Sequence, residues 1–218
     1  MGPAVPPDGI GLGPATARRI VIAHANVKGV IDYGPRLVIN DFHLPSSSPA
    51  APMPDGGTVN YVERAREVID LEIKGLEKLR TAVGEEFNRA VSLILACLRK
   101  HGKVVVTGIG KNLHIAEKIS ATLASTGSTS VALNPTQALH GDLGVITAGD
   151  VLLALSYSGE SEEILAIIPA MKRSGVQIIA LTGDPASNLA SSSDVVLITA
   201  VDREACPFNM APTASTTA

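Results

Sequence analysis

Aromatic residues are scarce in this 218-residue sequence, in which Phe, Tyr and Trp together make up 3% and Trp is absent. Because 45% of the residues are nevertheless hydrophobic, the core is expected to consist of Val, Ile, Leu and Ala. Cysteine is rare too. The two that occur, Cys97 and Cys206, match neither a disulfide framework nor a zinc site. Cys97 falls on an apolar helical face and is expected to be an ordinary core residue.

Long apolar and basic runs are also missing. No apolar run approaches the roughly 18 residues that are needed to cross a membrane, and the first residues lack the charged start and apolar stretch of a secretory signal. With a formal net charge of -3 and no basic cluster, the chain is not expected to bind nucleic acid. No metal-ligand cluster is recognisable, so no metal site is expected. Together these absences favour a cytoplasmic protein.

Residues 1–57 differ in composition from the rest of the chain. They contain nine of the fourteen prolines, and residues 46–54 are almost entirely Ser, Pro and Ala. This composition predicts a disordered or atypical N-terminal extension, in which the apolar stretch from Arg19 to Ala23 is a candidate strand. The folded domain is expected to span residues 58–218.

The spacing of apolar residues in that domain predicts an α/β fold. Helical spacing in residues 62–76 and, after a break at Gly84, in residues 87–98 indicates two N-terminal amphipathic helices. Further helical patterns separate most of a series of short apolar runs. These runs lie at residues 104–106, 130–133, 151–155, 178–181 and 195–198, with helical patterns at 115–123 and 164–171. Strands that are apolar on both faces and alternate with helices predict a doubly wound parallel sheet.

In such a sheet, ligands bind at the carboxyl ends of the strands. The most informative of these ends is the segment Ser156-Tyr-Ser-Gly-Glu-Ser161, which precedes a helix expected to begin near Ser161. The N–H groups and dipole of a helix start attract anions, while Ser156, Ser158 and Ser161 add hydroxyls and Gly159 permits close approach. The segment favours phosphate binding over the alternative, an ordinary loop with a serine cap.

Three other loops carry candidate catalytic side chains. The segment Thr107-Gly-Ile-Gly-Lys-Asn112 is neither a P-loop nor a dinucleotide fingerprint, but it presents Lys111, which can neutralise a phosphate or a developing enediolate. His140 in His-Gly-Asp-Leu-Gly can move protons near neutral pH, and Glu204 is a candidate base. The plainer alternatives are an exposed lysine, a structural histidine and a charged loop residue.

The segments GIGKN, LASTGS, HGDLGVIT, GDVLLALSYSGESEEIL, EACP and APTASTTA, in this order, resemble the D-arabinose-5-phosphate isomerase family of SIS (sugar isomerase) domains. The resemblance covers about residues 60–218 and implies a flavodoxin-like strand order. It also implies interconversion of D-arabinose 5-phosphate and D-ribulose 5-phosphate for Kdo and lipopolysaccharide synthesis. It further implies no cofactor, a phosphorylated pentose as substrate, and a homodimer or homotetramer.

Carried over position by position, the resemblance also implies roles for individual residues. The catalytic candidates are Lys111, His140, Glu163 and Glu204. The substrate-binding candidates are Gly110, Asn112, Ser156, Ser158, Gly159, Ser161, Thr213, Ser215 and Thr216. Glu163 has a plainer explanation as well, because a carboxylate in the first turn of a helix suits the helix dipole.

This sequence departs from the family pattern in several places. Asn112-Leu113 replaces Ser-Gly, Tyr157 replaces an asparagine, and residues 208–210 replace a Leu-Gly-Leu-like stretch. The family continues past the position of Ala218 into a helix, a histidine segment and often CBS domains, so slow or absent isomerisation is expected of this form. Two alternatives stay open: a non-catalytic phosphosugar-binding regulatory module, and an isomerase of another phosphosugar such as a heptose.

Overall fold

A computed structural model describes residues 19–24, 27–32 and 60–218 of a chain that divides into two units, residues 1–49 and 50–218. In the first unit, β1 (Arg19–His24) and β2 (Val27–Asp32) pair antiparallel, with Arg19 opposite Asp32. The strand predicted from Arg19 is therefore present. The disorder predicted for residues 1–57 concerns residues that mostly lie outside the described ranges, and it stays a prediction.

The second unit begins with two helices, α1 (Tyr61–Ala82) and α2 (Glu85–Arg99). Asn60 precedes α1, and its side-chain oxygen accepts hydrogen bonds from the backbone N–H groups of Val62 and Glu63 at 3.2 and 3.3 Å. Such a cap satisfies N–H groups that have no partner inside the helix. The two helices predicted from apolar spacing are confirmed, and so is the break at Gly84.

Five parallel strands form the sheet of this unit, in the order β4-β3-β5-β6-β7. The strands are β3 (Val104–Gly108), β4 (Ser130–Leu133), β5 (Val151–Leu155), β6 (Gln177–Thr182) and β7 (Val195–Ile198). In register, Val104 of β3 lies opposite Ser130 of β4 and Val151 of β5. The predicted parallel sheet and its flavodoxin-like order are confirmed.

Helices connect the strands, and a further short helix follows the last strand. They are α3 (Lys111–Ser125), α4 (Pro135–Leu139), α5 (Glu162–Arg173), α6 (Asn188–Ser191) and α7 (Ala214–Thr217), with a 3-10 helix at Asp142–Val145. The apolar spacing predicts α3 and α5. The short helices α4 and α6 were not predicted, because four or five residues are too few for a helical period to be recognised. Within the described ranges, no helix combines the length and the apolar character needed to span a membrane.

The core lies on both faces of the sheet, since alternate strand residues point to opposite sides. On one face, Val105 and Leu152 pack with Ile164 of α5. On the other, Val104 packs in a cluster that includes Cys97 of α2, which confirms Cys97 as a core residue. β3 and β5 are buried along their whole lengths, as expected of strands covered by helices on both faces.

The order of the strands reverses beside β3. The chain passes from β3 to β4 on one side and then returns to β5 on the other. The connections that leave β3 and β5 therefore diverge to opposite faces and open a crevice at the carboxyl ends of these two strands. In open α/β sheets, ligands bind in this crevice.

Candidate active site

A cavity of about 450 Å³ lies at the carboxyl ends of β3, β5 and β7. The lining residues fall in four segments: 109–112 after β3, 156–161 after β5, 201–204 after β7, and 209–216, which leads into α7. The first two segments flank the reversal of strand order, so the cavity has the position expected of a ligand site in this kind of sheet.

Residues 156–161, here called the serine loop, connect β5 to α5. The hydroxyl oxygens of Ser156 and Ser161 lie 2.9 Å apart. The backbone N–H of Gly159 donates to the Ser156 hydroxyl at 3.2 Å, and the N–H of Glu160 donates to the Ser158 hydroxyl at 3.3 Å. The serines thus hold the loop in a tight curl, and all three of them line the cavity.

The start of α5 is free of a side-chain cap. Ser161 occupies the capping position, but its hydroxyl pairs with Ser156 instead of accepting from the helix. The serine cap of the alternative interpretation is therefore absent, while phosphate binding at this loop stays a prediction. An uncapped helix start leaves N–H groups and the positive end of the dipole available to an anion in the cavity.

Gly159 is required by the shape of the serine loop. Its φ is 67°, in the left-handed region that side chains other than glycine rarely adopt. A Cβ at this position would lie 2.1 Å from the Ser187 hydroxyl oxygen. This close packing is made against Ser187, the residue that precedes α6, and the close approach of an anion to Gly159 stays a prediction.

The connection after β3 brings one cation to the cavity. A Cβ on Gly108 would lie 2.7 Å from the backbone carbonyl of Asn112, so glycine lets α3 begin close against its strand. Gly110 precedes α3 with a φ of 59°. Lys111 and Asn112 then line the cavity. In the described part of the chain, no carboxylate forms an ion pair with Lys111, so its charge is available to a ligand.

Glu204 lies after β7 and is only 8% exposed. Its Oε2 accepts hydrogen bonds from the N–H of Thr213 at 2.7 Å, the hydroxyl of Thr213 at 2.9 Å and the N–H of Ser215 at 3.3 Å. The Thr213 hydroxyl in turn accepts from the N–H of Ala205 at 2.7 Å. Because Thr213 and Ser215 begin α7, the carboxylate caps this helix and ties it to the loop after β7.

The hydrogen bonds of Glu204 also set its charge. Burial raises the pKa of this carboxyl, but the hydrogen bonds from Ser215 and Thr213 outweigh burial and hold the pKa below its ordinary value. Glu204 is therefore an anion at neutral pH. A carboxyl with a lowered pKa is also a weak base, so the arrangement suits a fixed negative charge better than proton abstraction.

Other charges surround the cavity. Arg203 and Asp202 line it next to Glu204, and Asp202 forms an ion pair with Lys78 of α1. Over residues 60–218, no group of three His, Cys, Asp or Glu side chains is placed to hold a metal ion.

Tyr157 crosses from the serine loop to the loop after β7. Its carbonyl accepts the N–H of Gly183 at 2.8 Å and the hydroxyl of Thr182 at 3.2 Å, both at the end of β6. Its phenol oxygen accepts the N–H of Val201 at 3.1 Å and lies 3.4 Å from the Val201 carbonyl. The ring is therefore held at both ends where it lines the cavity.

The structure brings most of the predicted site residues together, but not all of them. Lys111 and Glu204 line the cavity, as do the substrate-binding candidates Asn112, Ser156, Ser158, Ser161, Ser215 and Thr216. Gly110, Gly159 and Thr213 support the walls without lining them. His140, exposed at the end of α4, and Glu163, half-buried in the first turn of α5, do not line the cavity within one chain.

Four polar residues that the sequence did not indicate as site residues also line the cavity: Tyr157, Asp202, Arg203 and Asn209. The side-chain oxygen of Asn209 accepts the N–H of Glu204 at 2.7 Å, and its φ is 53°. Asparagine tolerates this conformation better than most residues. Its position between Pro207 and Pro212 was the feature of the sequence that could have indicated a turn here. Asp202 and Arg203 could have been found from their position beside Glu204.

Comparison with known proteins identifies similar chains. The SIS domain family matches residues 97–218. The chain is 46% identical over 159 residues to arabinose 5-phosphate isomerase KdsD of Francisella tularensis. The aligned region covers 73% of this chain and 49% of that protein. The chain thus spans about half the length of the curated relatives it matches.

Solved structures agree with this match. A protein from Listeria monocytogenes has a TM-score of 0.70 and 32% identity, covering 74% of this chain and 85% of that chain. The Escherichia coli CFT073 protein c3406, solved in complex with arabinose 5-phosphate, has a TM-score of 0.68 and 35% identity, with the same two coverages of 74% and 85%.

Proposed function

We propose that this chain, which belongs to the SIS-domain family, is an aldose–ketose isomerase that interconverts D-arabinose 5-phosphate and D-ribulose 5-phosphate. One observation carries the proposal. The uncapped start of α5 and three serines share a cavity with Lys111 and with the anionic Glu204. The names of the relatives, an arabinose 5-phosphate isomerase and a protein with bound arabinose 5-phosphate, support this choice of substrate.

The serine loop is the proposed phosphate site. A phosphate there would accept hydrogen bonds from the Ser158 and Ser161 hydroxyls and from the first N–H groups of α5, and the helix dipole would favour its charge. Binding this remote group orients the reacting carbons, so that part of the binding free energy lowers the barrier to reaction.

Isomerisation moves a proton between C2 and C1 through an enediol, so it needs a base and a group that stabilises negative charge on the oxygens. Lys111 is the proposed charge-stabilising group. The candidates for the base are Glu204 and His140. The lowered pKa of Glu204 argues against it, whereas His140 would have to be brought to the cavity by a second copy of the chain or by a movement. Glu163 stays a proposed site residue on the same condition.

A homodimer or homotetramer is also part of the proposal. Apolar side chains are exposed along one stripe of α1, at Val62, Ile69, Ile73 and Leu76, and along one stripe of α2, at Phe87, Val91 and Leu95. Contiguous apolar surface of this kind usually marks a contact with another protein. The cytoplasmic location and the lack of a nucleic-acid partner stay predictions of the sequence.

A turnover assay on a panel of sugars tests the proposal. D-arabinose 5-phosphate should be converted to ribulose 5-phosphate at a measurable rate, even if the rate is slow, while D-arabinose, which lacks the phosphate, should be a very poor substrate. Lys111→Gln should reduce kcat by about a hundredfold, as does the loss of one preorganised charge-stabilising donor. Lys118→Gln is the matched control, because Lys118 is exposed on the same helix and should leave turnover unchanged.

The alternative function is a non-catalytic module that binds phosphosugars. One observation favours it: two of the four predicted catalytic residues, His140 and Glu163, do not line the cavity within one chain. Tight binding of D-arabinose 5-phosphate in calorimetry, with no product formed at any protein concentration, would support this alternative and refute the isomerase.

A further inference from the structure

The position of Tyr157 has a consequence for which sugar phosphates fit. Its backbone is fixed to the end of β6 and its hydroxyl to the backbone of Val201 after β7. The side chain therefore spans the distance between the serine loop and the loop that carries Glu204. It is 41% exposed and lines the cavity between these two loops.

The ring also has little freedom to move away from the cavity. A Cβ on Gly183 would lie 2.8 Å from two carbons of the Tyr157 ring, so the ring packs directly on the Gly183 backbone. Gly183 does not have a positive φ, so its backbone conformation does not demand glycine. The lack of a side chain at residue 183 is instead explained by the space that the ring occupies.

We propose that Tyr157 is a specificity-determining residue, whose fixed ring limits the length of the sugar phosphate that the cavity accepts. This inference rests on the proposed function, since it assumes that the phosphate occupies the serine loop and that the reacting carbons lie toward Lys111 and Glu204. Between these two ends, the sugar has to pass the ring of Tyr157. A chain longer by one CHOH unit has to displace the ring or bind with its reacting carbons out of place.

The expected discrimination is moderate in size. A pocket that rejects one extra carbon unit typically does so by about 10- to 200-fold in kcat/KM. Tyr157 therefore favours five-carbon over six-carbon sugar phosphates by about this factor.

The test compares kcat/KM for D-arabinose 5-phosphate with kcat/KM for a hexose 6-phosphate such as glucose 6-phosphate. The ratio of the two values does not depend on how much of a variant is folded, so a general loss of stability cannot imitate a change in specificity. Tyr157→Ala removes the ring and should shift the ratio toward the hexose by about tenfold or more. Tyr157→Phe keeps the ring but loses the bond to Val201, and it should shift the ratio less.

Two further variants separate the ring from other effects. Tyr61→Phe is the matched control, because Tyr61 is 80% exposed at the start of α1, and it should leave the ratio unchanged. Gly183→Ala should lower kcat/KM for the pentose phosphate, since its Cβ meets the ring. In the Tyr157→Ala background, the same Gly183→Ala change should have no further effect, because the ring it meets is gone.

The outcomes separate this inference from the function on which it rests. If the unmodified protein converts arabinose 5-phosphate but Tyr157→Ala leaves the ratio unchanged, the inference is overturned and the proposed function stands. If Gly183→Ala lowers kcat/KM for the pentose phosphate equally in the unmodified protein and in Tyr157→Ala, the assigned contact is wrong and the inference fails. If the unmodified protein converts no sugar phosphate, the proposed function fails and the inference fails with it.

Discussion

Glu204 is the residue whose replacement tests the architecture of the site most directly. In Glu204→Gln, the amide oxygen can still accept from Thr213 and Ser215, but the bonds lose their charge. Hydrogen bonds to charged groups contribute about 1.5–3 kcal/mol and neutral ones about 0.5–1.5 kcal/mol. Because bonds to one oxygen are not additive, we expect a total loss of about 2 kcal/mol in the free energy of unfolding.

This loss should be visible in denaturation experiments. For a domain of this size, about 2 kcal/mol lowers Tm by about 4–8 °C, and the midpoint of urea denaturation should fall in parallel. Glu204→Ala should cost more, since the N–H groups of Thr213 and Ser215 are then left without an acceptor. Glu77→Gln is the matched control, because Glu77 is exposed on α1.

The effect should depend on pH in one direction only. The pKa of Glu204 is lowered in the folded protein, so its ionised form stabilises the fold at pH values above the unfolded pKa of about 4.3. This contribution is lost as the pH falls through the lower, folded pKa. The difference between the unmodified protein and Glu204→Gln should therefore be constant from about pH 6 to 8 and should close below about pH 4. Equal stability at neutral pH, or a difference that grows on acidification, would refute the reasoning.

Two further predictions concern the ligand. Replacing Ser158 and Ser161 together with Ala should weaken phosphosugar binding at least about tenfold, because each bond to a charged group is worth about 1.5–3 kcal/mol, and unchanged affinity in calorimetry would remove the phosphate from the serine loop. Turnover should survive EDTA, since no ligand cluster for a metal is present among residues 60–218, and activity that is lost in EDTA and restored by one divalent ion would reveal a metal site.

The parallel sheet could be predicted because its strands are short, almost uninterrupted apolar runs in the sequence. β3 and β5 are covered on both faces, so every residue is apolar or small and each strand stands out as an uninterrupted run. The order of the strands came from the family resemblance and not from the runs themselves. Short elements such as α6 (Asn188–Ser191) were not predicted, because their ends are set by tertiary hydrogen bonds, including those of Asn188 to Glu160.

The site was predictable in its loops and less so in its geometry. The serine loop and Lys111 were found because each directly follows a strand, where chemistry is expected in this fold. That Glu204 caps α7 could not be read from the sequence, since it depends on the turn through Asn209, which returns the chain to the same place. Glu163 was carried over by position, and His140 was selected for the chemistry of its side chain as well, but neither reason says whether a side chain faces the cavity.

The loop after β7 follows an edge strand, because in the described part of the chain β7 pairs with β6 alone. Neighbouring strands therefore support this loop on one side only. This loop nevertheless carries Asp202, Arg203 and Glu204 to the cavity. Lys78 of α1 holds Asp202 in an ion pair, and Arg64 of α1 donates to the Ala205 carbonyl at 2.9 Å.

These interactions with α1 are expected to stabilise the loop less than the hydrogen bonds of Glu204 do. The pair of Lys78 and Asp202 is exposed, with 43% and 84% of the two side chains accessible, and such pairs contribute about 0–1 kcal/mol. Glu204 is buried, and its carboxylate accepts three hydrogen bonds from the start of α7. The stronger tie is thus the one made by a residue that also lines the cavity. Replacing Glu204 therefore weakens the attachment of this loop to α7 and also removes a negative charge from the cavity. Glu204 variants should lose stability and turnover together. Lys78 variants should lose little of either.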